Sequence, residues 1–218
     1  MSDAAGAGDY VFTHDWFSAN LPTWRQIIDR EKPTKILEIG AFEGRSTCAI
    51  IELCTAAAKA DIEVFCLDSW EGGIEHQSGG HFDITMSDVE RRFDSNIAIA
   101  KSRVEHHAAI TKVKAYSNIG LPQLMAGGRH GYFDLIYVDG SHQAPDVLTD
   151  AVMSFHLLRV GGILIFDDYL WSMDRPGTQD VLKMPKPAID AFLNIFQRKM
   201  SIFQGAPIGQ LYTRKIST

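Results

Sequence analysis

Four residues in the second half of the chain could do chemistry together. Asp139 closes the apolar run Phe133–Val138, and Asp167 and Asp168 close the run Ile163–Phe166. If these runs are neighbouring strands of a parallel sheet, about 4.8 Å apart, the three carboxylates converge at one sheet edge. Three hard oxygen donors, with water and substrate oxygens completing an octahedron, suit Mg²⁺ or a similar divalent cation. Without a cation they would repel one another. The alternative is that Asp139 only caps a turn and one of the pair faces solvent or a ligand. His142 stands three residues after Asp139 in the same loop. Imidazole is matched to accepting a proton near neutral pH. Asp139 and His142 are the candidate catalytic residues, and Asp139, Asp167 and Asp168 the candidate metal ligands.

A second constellation is Ile36–Thr47, ILEIGAFEGRST. Gly40 lets the backbone turn sharply and pass close to a ligand. Gly44 lets the next helix start tightly against the strand. The turn lacks the middle glycine of GxGxxG that admits a pyrophosphate. It carries acidic residues instead, Glu38 and Glu43. Those suit a ligand with a cationic amine and a sulfonium, S-adenosylmethionine (SAM), and disfavour a dinucleotide. The candidate cofactor contacts from this turn are Glu38, Gly40, Phe42, Gly44 and Ser46. Asp68 ends the next apolar run and can accept from both ribose hydroxyls, with Ser69 and Trp70 following it. Ser117 and Asn118 could face an adenine edge, and Asp139 completes the set.

These residues need elements to carry them. Hydrophobic spacing predicts a helical region over residues 14–33, broken or started at Pro22, with a flexible stretch before it through residue 13. Strands are expected at Lys35–Ile39, Ile62–Leu67, Val113–Tyr116, Phe133–Val138 and Ile163–Phe166. A closing hairpin is expected from Ser201–Gln204 and Gln210–Thr213. Helices are expected at Ser46–Ala58, capped by Ser46 or Thr47, and at Ser87–His107, Gly120–Ala126, Pro145–Arg159 and Pro187–Lys199. Gly161-Gly162 reads as the stop after the Pro145 helix. The alternation is that of an α/β, Rossmann-like doubly wound sheet, mostly parallel. It has seven strands, the last one antiparallel, with helices on both faces. The reading is one domain over residues 1–218.

Two irregular segments, 70–88 and 168–185, leave from the carboxyl edge of the sheet, where ligands bind in such folds. They are the expected substrate walls. Trp70 and His76 represent the first, and Tyr169, Trp171 and Arg175 the second. His76 and His81 with Glu75 match no zinc-module spacing. Trp16, Phe17 and Trp24 read as core or as the contact of a homodimer.

The chain has 218 residues, 45% hydrophobic and 22% charged, with a formal net charge of −6. No clustered basic face suggests nucleic acid. No apolar run is long enough to span a bilayer, and the first residues lack the pattern of a secretory signal. Three cysteines without CxxC spacing fit free thiols in a reducing, cytoplasmic setting.

ILEIGAFEGRST, Leu67-Asp68-Ser69-Trp70, NIGLPQL from Asn118, FDLIYVDG from Phe133 and LRVGGILIFDD from Leu158 together resemble class I SAM-dependent methyltransferases. Within them the resemblance is to small O-methyltransferases of the catechol type and to antibiotic-sugar O-methyltransferases. It covers roughly residues 35–168. It implies that Asp139, Asp167 and Asp168 hold the metal and that a substrate hydroxyl binds there. Catechol-type enzymes carry Asn where this chain has Asp168, and the sugar enzymes carry Asp. Where the catechol type uses a lysine base, this chain has His142. The expected activity is metal-assisted O-methylation of a sugar or phenolic hydroxyl on a small molecule. The alternatives are metal-independent N- or O-methylation and a SAM-binding module without turnover.

Overall fold

The computed structural model describes residues 8–73 and 84–218. His76, His81 and Glu75 lie outside the described residues. The chain forms two compact units that alternate along the sequence. One holds the described residues up to Thr34, Ala41–Ile62 and those of Trp70–Ala109; the other holds Lys35–Gly40, Glu63–Ser69 and Ile110–Thr218.

In the first unit, helices α1 (Leu21–Glu31), α2 (Arg45–Ala58) and α3 (Met86–Ser102) pack together. The expected helix from His14 starts later. A short 3₁₀ turn, Ser18–Asn20, precedes α1, whose first turn carries Pro22. Pro needs no amide partner there, which is why it opens the helix instead of breaking it. Phe17 and Trp24 are core and meet edge to face at 5.0 Å, whereas Trp16 is 54% exposed. The expected Ser46 or Thr47 cap on α2 is replaced by Gly44 at φ +79°, and both hydroxyl residues are buried inside the helix. A Cβ on Gly44 would meet the Phe93 ring at 3.0 Å.

The second unit is built on a seven-stranded sheet in the order β3-β2-β1-β4-β5-β7-β6. Its strands are β1 (Lys35–Ile39), β2 (Ile62–Asp68), β3 (Ala108–Lys114), β4 (Phe133–Val138), β5 (Leu158–Phe166), β6 (Met200–Ile202) and β7 (Leu211–Lys215). β1 pairs parallel with β2 and β4, and β4 with β5, while β7 runs antiparallel to both β5 and β6. This is the expected Rossmann-like doubly wound sheet, with its order reversing between β1 and β4. Helices α4 (Ser117–Ala126), α5 (Ala144–Leu157) and α6 (Pro185–Ile195) belong to this unit. Their apolar faces share one core with Leu37, Ile39, Ile136, Leu164 and Phe166. The Lys215 ammonium donates to the carbonyls of Phe155 and Leu158 at 2.7 and 2.8 Å, satisfying orphan acceptors where α5 ends.

Several boundaries differ from those the sequence predicts. α3 stops at Ser102, and β3 begins at Ala108 instead of Val113. β3 is an edge strand in which only Ala108 is fully buried, so its apolar alternation is faint. Its place is set by ladder bonds such as Ala115 N to Asp68 O, 3.0 Å. Gly161-Gly162 lies inside β5, not after α5. The β4–β5 register slips between Phe133↔Leu158 and Leu135↔Ile163, and Gly161 takes φ +83° in that irregular stretch.

Candidate active site

The parallel register delivers the acidic edge. Val138 is level with Phe166, and Ile39 with Val138. The next residues, Gly40, Asp139 and Asp167, therefore leave three adjacent strands at the same height. Asp139 N donates to Ile39 O at 2.8 Å, and Asp167 N to Val138 O at 2.9 Å. Gly40 has φ +85°, and a Cβ there would sit 2.0 Å from Asp139 O. Only glycine can pass.

The side chains then sort themselves. The oxygen and nitrogen donors of Asp139, His142 and Asp168 lie within 4.8 Å of one another and could hold a metal ion. His142 Nε2 is 2.8 Å from Asp168 Oδ2, and its ring stacks on Trp171 with centroids 4.0 Å apart. Asp168 itself has φ +52°, and the turn closes through Trp171 N to Asp168 O at 2.8 Å. Asp167 is engaged differently: Oδ1 accepts from Asp168 N at 2.8 Å, and Oδ2 accepts the Tyr137 hydroxyl. A small cavity of about 10 Å³, room for one water-sized group, is lined by residues including Asp139, His142, Asp167 and Asp168.

Tyr137 is the residue that the sequence reading missed. It is fully buried on β4, two residues before Asp139 and so on the same strand face. That spacing was the available signal. Its hydroxyl also lies 3.1 Å from Asp139 Oδ2, and Gln210 Nε2 donates to it at 3.3 Å. Burial, and then Asp139 and Asp167, push the phenol well above its ordinary value. Burial, then Asp167 and Asp168, hold the Asp139 carboxyl well above the usual carboxylate range, with the Tyr137 hydroxyl acting against them. Asp167 is raised by burial and by Asp168. A cation placed among these groups would reverse the repulsion.

Of the expected cofactor residues in this unit, Glu38 is wholly buried on β1, Asp68 ends β2, and Ser69 follows it. Ser117 is the first residue of α4, with Asn118 exposed beside it. In the other unit, Phe42 takes φ +46° and Ser46 is buried in α2. Trp70 is only 3% exposed, packs on Phe93 at 5.0 Å, and donates its indole N–H to Phe42 O at 3.0 Å. The packed ring offers a substrate little surface. Glu43, expected to favour a cationic ligand by its charge, is 1% exposed. Its carboxylate accepts from Thr13 N and Oγ1 at 2.6 and 2.9 Å and pairs with Arg92. On the second wall, Tyr169 donates to Asp190 at 2.7 Å and accepts from Lys186 at 3.0 Å, and Arg175 is exposed.

The chain matches the family model described as a methyltransferase domain over residues 37–169. The O-methyltransferase hkm8 of Aspergillus hancockii is 26% identical over 137 residues, 63% of this chain and 43% of that protein. The chain thus spans less than half the length of this curated relative. Among solved structures, the O-methyltransferase TomG of Streptomyces achromogenes, in complex with SAM, has a TM-score of 0.61 at 16% identity, covering 92% of this chain and 81% of that one. An O-methyltransferase from Bacillus cereus in complex with SAH has a TM-score of 0.59 at 16% identity, with 94% and 84% covered. At such identities the likeness is one of fold.

Proposed function

Because the chain belongs to the methyltransferase-domain family, we propose that it transfers the methyl group of SAM to a hydroxyl oxygen of a small molecule, a sugar or a phenolic ring, with Mg²⁺ or a similar divalent cation at the acidic edge. One observation carries the metal: donors of Asp139, His142 and Asp168 lie within 4.8 Å of one another. Two carboxylates and an imidazole form an oxygen-rich set, and Asp167 stands beside it. The raised Asp139 and Asp167 carboxyls are those of acids awaiting a positive charge. When bound, the ion would lower the pKa of the acceptor hydroxyl.

The protein's own residues do the rest. Where carboxylates alone would hold the cation, His142 would accept the hydroxyl proton at the ring nitrogen not engaged with Asp168, since its Nε2 lies 2.8 Å from Asp168 Oδ2, with Trp171 stacked on the ring. Tyr137 holds Asp139 and Asp167 at a fixed separation. The deprotonated acceptor oxygen attacks the SAM methyl in line, and S-adenosylhomocysteine (SAH) leaves. SAM turnover on a panel of sugars and phenols, with and without EDTA, tests this; no methylated product from any acceptor would leave only a SAM-binding module.

The same His142–Asp168 contact favours a second reading, metal-independent transfer to O or N. There His142 is a base oriented by a carboxylate, as in other His–Asp pairs. Activity that survives EDTA would select it. No helix among the described residues is long and apolar enough to cross a membrane. The three cysteines are buried and joined in no disulfide, which supports a reducing, cytoplasmic setting.

A further inference from the structure

Asp150 is a carboxyl that the chemistry above does not use. It lies on the inward face of α5, otherwise lined by Ala144, Val147, Ala151 and Phe155, and is 1% exposed. Neither of its oxygens meets hydrogen-bond geometry with a partner among the described residues, nor does the buried Ser154 hydroxyl one turn on. A buried polar group left so is rare and costs stability. A leucine, branched like aspartate but larger and apolar, would match the composition of the face. Burial pushes the carboxyl up to about 7, with the Ser117 hydroxyl acting to lower it and Asp146 on the same helix adding to the rise.

What Asp150 faces gives it a use. On one side is Gly140, the residue after Asp139: a Cβ there would lie 3.7 Å from Asp150 Oδ2 and 3.3 Å from Ile39 Cγ2. The glycine leaves no side chain between the loop backbone and the carboxyl. Helix α4, which begins at Ser117, packs on α5. Both neighbours belong to segments that leave the carboxyl edge of the sheet, where the cofactor reading places SAM.

We propose that Asp150 is a positioning residue for the cofactor, a buried carboxyl on α5 that sets the Gly140 loop and the first turn of α4 in the form that binds SAM. The inference rests on the SAM reading of the preceding subsection. Asp150 touches no ligand itself, since its oxygens are covered. It acts by close packing: its Oδ2 faces the Gly140 backbone, where a Cβ would lie 3.7 Å away, and α4 packs on the helix that carries it. Strain or unmet polarity retained at a working site, at the expense of stability, is a common trade.

The test sets stability against binding. SAH is titrated calorimetrically into the wild-type protein and into Asp150→Leu and Asp150→Asn, and each is melted. Asp150→Leu should melt at the same temperature or higher, yet bind SAH at least about tenfold more weakly. Asp150→Asn keeps the shape of the side chain and should bind within about threefold of wild type. If Asp150→Leu fails to fold, Asp150→Ala carries the same comparison. A Leu or Ala variant that binds SAH as wild type does overturns the proposal. So does a loss of binding matched by a loss of melting temperature, or the failure of both to fold, because the residue would then be structural. A wild-type protein that binds no SAH removes the cofactor reading itself, and this inference with it.

Discussion

His142 Nε2 stands 2.8 Å from Asp168 Oδ2, across 26 residues of sequence. The contact joins the loop after β4 to the turn after β5. It gives the imidazole one orientation, with Trp171 stacked on its other side. Replacing His142 by Ala should lower kcat by about 10²–10⁴-fold, the usual contribution of a positioned acid or base. Calorimetric SAH affinity should be unchanged. Turnover at the wild-type rate would remove His142 from the chemistry.

If the proposed cation binds, its affinity should depend on pH in a defined direction. Burial and neighbouring carboxylates push both Asp139 and Asp167 up from the ordinary carboxyl value. Protons therefore compete with a cation for them at mildly acidic pH, and affinity should rise as pH rises. Thermal melts in millimolar Mg²⁺ should show a larger stabilisation at pH 8 than at pH 5.5. A shift that is absent at both values speaks for the metal-independent reading.

Gly40 is the position least able to change. Gly40→Ala meets both a positive φ and a backbone oxygen at 2.0 Å. Backbone cannot yield as a flexible side chain can, so strain of several kcal/mol, at least about 3, is expected. The variant should melt well below wild type in a thermal scan. An unchanged melting temperature would mean that the β1 turn is not built as described.

Asp150 should leave a signature in stability against pH. Its carboxyl is raised from 3.8 to about 7. Between those values the folded chain binds a proton that the unfolded chain has lost, so this group's contribution to stability falls as pH rises through the window. Above pH 7 the penalty is constant, of the order of 4 kcal/mol. In denaturant titrations from pH 4 to 8, Asp150→Asn should lose this part of the slope. Parallel curves for the two proteins would show that Asp150 does not titrate there.

Residue order alone went far with the backbone. β1 and β4 occupy the stretches expected, Lys35–Ile39 and Phe133–Val138. Strands buried on both faces are continuous apolar runs, and such runs are visible without a structure. The glycines at 40 and 44 and the acids at strand ends were legible for the same reason: each depends on its position in a local pattern. β3 and the start of β5 were not legible, because an edge strand and a bulged strand are defined by the neighbours they pair with.

Which carboxylate does what was decided only by the tertiary structure. Sequence determined that Asp139, Asp167 and Asp168 would end two strands, and that His142 would be near. The register then set Tyr137 between Asp139 and Asp167, and turned Asp168 towards His142. Glu43 shows the same limit: its charge was legible, but not that Thr13 and Arg92 would take it up. A hydrogen bond needs two groups within about 3 Å, and residues 30 or 49 apart in the chain reach that distance only through the packing of everything between them.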